Sequence, residues 1–145
     1  ATQPTCRPDW TCCSPMGRFR AMSIILAGAA LCQSPFVEDG DTIRCGTERV
    51  RLAQIDAPEL SSNPRCWKRG THYLWCDETA GLKARAALER FLAQGKVRIV
   101  RLGYDRFGRT VARVYVQGSD ASEHLRQLGL VKRWYGRQVV RRTEL

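Results

Sequence analysis

The sequence has no Cys-x-x-Cys pair and only two histidines, His72 and His124. A structural zinc site does not fit, because such sites draw on closely spaced thiolates and imidazoles. Internal repeats and low-complexity tracts are also missing. The apolar run at residues 21–31 is too short to span a bilayer, so no stable membrane insertion is expected. Acidic residues are scarce: 14 Asp and Glu stand against 24 Lys and Arg, a net charge of +10. That excess predicts attraction to nucleic acid or another anionic surface.

What is present points to a single small domain. A chain of 145 residues, 43% of them hydrophobic, can bury one modest core. Seven cysteines are many for this length, and without zinc-type spacing they are read as disulfides formed in an oxidising compartment, with free buried thiols as the alternative. Residues 16–20, Met-Gly-Arg-Phe-Arg, are a basic stretch, and residues 21–31 are an apolar stretch of signal-peptide length. The expectation is a signal peptide at 16–31 and a secreted or periplasmic protein, rather than a first barrel strand or a buried helix there. Residues 1–33 are then an N-terminal extension, Met16 the expected start, and 34–145 the folded domain. Once the signal is removed, Cys32, Cys45, Cys66 and Cys76 remain. Cys66 and Cys76 bracket one polar loop and are expected to pair, with Cys32–Cys45 crossing the first hairpin.

Short strands are expected at Phe36 and Val37, at Thr42 to Arg44 and from Val50 to Ile55, where Pro58 ends the pattern. A polar loop, residues 61–77, leads into a helix over 78–93 whose apolar stripe is Ala84, Ala87, Leu88 and Phe91. Asp77 or Thr79 is its cap, and Gly95 suits a left-handed C-terminal position. Further strands follow at Val97 to Val100 and Thr110 to Val116. Asp120 with Glu123 forms a capping box for a short helix ending at Gly129, and 131–135 is a last extended stretch. This order predicts a mainly β (α+β) domain: a five-stranded OB-fold barrel with one inserted and one trailing helix.

The chemistry lies in three stretches: Asp39-Gly40-Asp41-Thr42, Arg51 through Asp56-Ala57-Pro58-Glu59, and Asp105-Arg106-Phe107-Gly108-Arg109. If the second and third strands form a hairpin, Asp41 and Asp56 approach each other at one barrel end. Neighbouring carboxylates repel unless a cation sits between them. Calcium and magnesium both suit such oxygen donors. Glu59, stiffened by the preceding proline, is placed to orient or deprotonate water. Arg51 and Arg109 offer forked donors that match phosphate oxygens.

These motifs, with Leu125 to Tyr135, make residues 34–135 resemble the staphylococcal (micrococcal) nuclease family, the thermonucleases. The resemblance implies a Ca2+-dependent nuclease on an OB-fold that cuts DNA and RNA with low sequence specificity and leaves 3′-phosphate ends. It assigns Asp41, Asp56 and the Ala57 carbonyl to the metal, Glu59 to the general base, and Arg51 and Arg109 to the phosphate. Phe107, Tyr135 and Lys132, in the basic Lys132-Arg133 pair, are expected to contact substrate, with single strands preferred and the protein monomeric. Compared with the type enzyme, Ala57 replaces threonine, Phe107 replaces tyrosine, and the loop after Glu59 carries cysteines. The alternative is a nuclease-like module that binds nucleic acid or a protein without cutting.

Overall fold

Residues 30–67 and 75–136 are described by the computed structural model of the chain. Most of the expected signal stretch, Cys6, Cys12, Cys13 and the basic residues from 137 onward lie outside them. Period-two alternation sets up the sheet. The strands are β1 (Ala30–Cys32), β2 (Pro35–Asp39), β3 (Thr42–Cys45), β4 (Glu48–Leu52), β6 (Val97–Tyr104), β7 (Thr110–Val116) and the short β8 (Ser119–Asp120). They form one sheet in the order β1-β6-β7-β4-β3-β2, with β8 on β7. Only β4 and β7 run parallel among these pairs. A separate ribbon joins β5 (Ile55–Asp56) to β9 (Lys132–Arg133).

The architecture fits the expected mainly β (α+β) OB-like domain, but not as a barrel of five strands. β1 and β2 are consecutive in the chain, separated by residues 33 and 34, yet they are the two ends of the sheet order. The sheet must therefore curl until its edges come near each other. The chain joins them directly and the Cys32–Cys45 disulfide ties β1 to β3, the neighbour of β2, with Cα atoms 5.6 Å apart; no hydrogen-bonded ladder pairs β1 with β2. The result is an open, curled sheet. It begins at Ala30, so it takes in the last two residues of the stretch read as a signal peptide.

Helix α1 (Glu78–Leu92) begins at Asp77, whose carboxylate accepts the Ala80 N–H at 3.0 Å. Its buried face is Gly81, Ala84, Ala87, Leu88, Phe91 and Leu92, spaced for one side of a helix. That face packs on β2 and fills the sheet's concave side with Ile43, Val50, Leu52, Ile55 and Ile99. Gly95 does not adopt the expected left-handed conformation; the helix ends at Ala93 with ordinary right-handed dihedrals. Helix α2 (Ala121–Gln127) is capped by Asp120 and stops at the left-handed Gly129. Its His124 stacks on Phe91 at 4.7 Å, and Ser122 Oγ donates to the buried Ala53 carbonyl at 3.0 Å.

One close approach fixes how α1 meets the sheet. A Cβ on Gly40 would lie 2.7 Å from the Ala84 Cβ and 2.8 Å from the Ala57 Cβ. The tip of the β2–β3 hairpin can rest against α1 only because residue 40 has no side chain.

Candidate active site

Strand register gathers the first charges. Thr42 stands opposite Arg51 in the β3–β4 ladder, so Asp41, one residue earlier, flanks Arg51. The chain then turns at Ala53 and Gln54, where Gln54 takes a positive φ of 63°. That turn splits the expected third strand into β4 and β5 and returns Asp56 to the other side of Arg51. Arg51 Nη1 donates to Asp41 Oδ1 and Nη2 to Asp56 Oδ1, each at 3.0 Å. Nη2 also reaches the Ile55 carbonyl at 3.3 Å. One guanidinium fork thus spans two carboxylates.

Asp41 is the most enclosed of the acids, 4% exposed. It accepts the Thr42 hydroxyl at 2.9 Å and the Ala57 N–H at 3.1 Å. Burial and then the Asp41 charge raise the Asp56 pKa, with Arg51 and Lys132 opposing them. Burial works against the Arg51 charge, yet Asp41 and Asp56 outweigh it and raise its pKa. Asp39 lies beside them. Burial and then the neighbouring Asp41 push its carboxyl up to about 7, with Glu59 adding a smaller like-charge contribution.

Among the described residues, no three His, Cys, Asp or Glu side chains are placed to hold a metal ion by themselves. The expected donor set is smaller: the Asp41 and Asp56 carboxylates and the Ala57 carbonyl. The Ala57 N–H donates to Asp41 Oδ2 at 3.1 Å, which brings residue 57 beside one of the two carboxylates. The donors of the set are all oxygen, which suits a hard cation completing its shell with water. Burial is the first cause of the raised Asp39 and Asp56 pKa values; the second, repulsion from Asp41, is relieved by added positive charge.

Glu59 enters from the loop after Pro58. Its N–H donates to the Trp75 carbonyl at 2.7 Å, and its own carbonyl accepts the Asp77 N–H at 3.2 Å. The Glu59 side chain accepts a bond from Asn63 at 2.7 Å. The loop is closed by Cys66–Cys76, with Cα atoms 5.8 Å apart, so both expected cysteine pairings are present.

Arg109 lies at the end of the β6–β7 loop, where Gly108 takes a φ of 77°. Its Nε donates to Asp105 Oδ2 at 2.7 Å, and Asp105 Oδ1 accepts the backbone N–H groups of Phe107 and Arg109. Burial works against the Asp105 charge, but these donors outweigh it and lower its pKa. Phe107 is exposed, with Arg106, Arg109 and Arg65 at 4.7, 5.5 and 5.7 Å from its ring. Arg65 comes from the 3-10 turn Pro64–Trp67, so this ring links the Arg109 loop to the Glu59 loop.

Lys132 faces Asp56 across the β5–β9 ribbon, and its Nζ sits 3.9 Å from the Trp75 ring centre. Tyr135 is not drawn into the cluster. It is 82% exposed and its ring lies beside Arg133.

The structure adds residues that sequence reasoning gave no role. Asp39 looks like a turn residue, and its Oδ1 does accept the Asp41 N–H at 3.0 Å, but its carboxyl also belongs to the acidic pocket. Asp105 could have been found from its spacing of four before Arg109. Asn63 and Trp75 carry no sequence signal, since their partners are set by the folded loop.

Residues 49–145 match the family model described as staphylococcal nuclease homologue. Asp39 and Asp41 lie just ahead of that match. A Haemophilus influenzae protein named an uncharacterized endonuclease is 33% identical over 104 residues, covering 68% of this chain and 49% of that protein. The succinoglycan biosynthesis protein ExoI of Rhizobium meliloti is 34% identical over 95 residues, covering 64% of this chain and 47% of its own length. The chain spans about half the length of these relatives. A family match reaching from β4 through β9 takes in the Arg51, Asp56, Glu59 and Arg109 positions, and on it the chain belongs to the staphylococcal nuclease family.

Proposed function

We propose that this protein is a calcium-dependent nuclease. It hydrolyses phosphodiester bonds of DNA and RNA with low sequence specificity and leaves 3′-phosphate ends. One observation carries the reading: Arg51 donates at once to Asp41 and Asp56, with the Ala57 N–H also donating to Asp41. A guanidinium suited to phosphate lying against two carboxylates suited to a hard cation supports the reading.

Asp41, Asp56 and the Ala57 carbonyl hold the calcium, which when bound supplies positive charge to the phosphate and a place for water. Glu59 orients the attacking water and accepts its proton. Arg51 and Arg109 offset the negative charge that grows on the phosphoryl oxygens. Phe107 and Tyr135, both with exposed rings, offer stacking surfaces, which favours single strands whose bases are splayed. Lys132 adds a backbone phosphate contact. The pair of disulfides supports a secreted or periplasmic protein. Among the described residues no helix is long and apolar enough to cross a membrane.

The test is a gel assay on single-stranded DNA with calcium, then with EGTA, then with calcium restored. Cleavage should stop under EGTA and return with calcium. Equal cleavage without any divalent metal overturns the proposal.

A further inference from the structure

Glu59 sits on a loop rather than on the sheet, and its carboxylate has three rotatable bonds to settle. Asn63 limits that freedom. Its Nδ2 donates to Glu59 Oε2 at 2.7 Å, while its Oδ1 accepts the Arg65 N–H at 3.0 Å. The second bond fixes which way the amide faces, because an oxygen must point at the N–H and the amine must then point at the carboxylate. The backbone of Asn63 is held as well: its N–H donates to the Leu60 carbonyl at 2.9 Å and its carbonyl accepts the Cys66 N–H at 3.0 Å. Cys66 is bonded to Cys76, and Cys76 bridges back to Glu59. A closed circuit therefore runs from Glu59 through Asn63, Cys66 and Cys76 to Glu59 again. Its far side continues into Asp77, the cap of α1.

We infer that Asn63 is a positioning residue for Glu59, aiming its carboxylate at the attacking water, and that the Cys66–Cys76 bond holds Asn63 in place. This rests on the reading of Glu59 as the base. A misplacement of about 1 Å in such a group lowers a rate by about a hundredfold.

Asn63→Asp separates positioning from simple loop structure. Aspartate keeps an oxygen for the Arg65 N–H but replaces the donor to Glu59 with a repelling oxygen. With calcium saturating, Asn63→Asp and Asn63→Ala should both lower kcat at least about tenfold, the usual scale for losing a supporting contact. KM for single-stranded DNA, calcium affinity by titration calorimetry and the thermal midpoint should stay near those of the unaltered protein. In a Glu59→Gln background the Asn63 changes should cost nothing further. A normal kcat in Asn63→Asp overturns the inference, as does an equal loss with and without Glu59. If Glu59→Gln alone keeps full activity, the base assignment itself has failed, and the inference falls with it. If Glu59→Gln is inactive while Asn63→Asp is normal, the inference about Asn63 alone has failed.

Discussion

The Cys32–Cys45 bond joins strands at the seam of the sheet, whereas Cys66–Cys76 closes the loop that carries Glu59. The surroundings differ more than the bonds. Near the seam, β1 is paired to β6 and β3 is paired on both sides, and Cys32 belongs to the core. The 3-10 turn that holds Cys66 buries no residue. A region backed by ladders and a core keeps its local shape when one link is cut. A loop without that backing leans more on each of its links. The same division runs through the candidate site, since Arg51 comes from the sheet and Glu59 from the stapled loop.

The largest effect is expected on the sheet side. Arg51→Lys keeps the charge but cannot span Asp41 and Asp56 as a fork. Its kcat should fall by about 100- to 1,000-fold, the range for losing one transition-state donor. Single-turnover cleavage of single-stranded DNA checks this, and a near-normal rate would remove Arg51 from the mechanism. Next come the disulfides themselves. Cys32→Ser with Cys45→Ser should lower unfolding free energy by about 2–4 kcal/mol in urea titrations, with kcat unchanged. Cys66→Ser with Cys76→Ser should instead lower kcat by about tenfold. Matching profiles for the two double variants would erase the distinction between seam and loop.

The smallest effect is on the outer sheet. Glu48 accepts from Arg101 Nε at 2.8 Å and from Thr110 Oγ1 at 2.7 Å. The Arg101 bond is the main cause of a Glu48 pKa below the ordinary 4.5, with burial opposing it. A lowered folded-state pKa gives stability that is present above the ordinary value and lost as pH falls through the folded one. Glu48→Gln should therefore cost stability at pH 7, by less than about 1 kcal/mol for so exposed a pair. The gap between the two proteins should close in acid. A gap that widens as pH falls would contradict the assignment.

Much of this was readable in the residues, and the exceptions have physical causes. Alternation at Val50 and Leu52 announced the strand that carries Arg51, and the expected hairpin announced that Asp41 and Asp56 would lie at one end; that Arg51 bridges them was seen only in the fold. Cys66 and Cys76, bracketing one polar loop, suggested the first of three possible pairings, and Cys32–Cys45 followed as the remaining pair. The apolar residues 21–31 read as a leader hid the short strand Ala30–Cys32, because an isolated three-residue strand has no periodicity of its own. The break between β4 and β5 falls on Gln54, a residue type with no left-handed signature, so one strand was expected where two exist. Gly95 looked like a helix terminator, yet the helix had already ended at Ala93. Asn63 was illegible because its partner is chosen by the folded loop and not by spacing.

The bare backbone at Gly40 also sets a limit on redesign. Ala84 of the helix and Ala57 of the site both crowd the place where its first side-chain carbon would go. Positions 40, 57 and 84 consequently form one steric unit. Restoring the type enzyme's threonine at 57, or enlarging 84, draws on the same small volume, so changes there have to be chosen as a set.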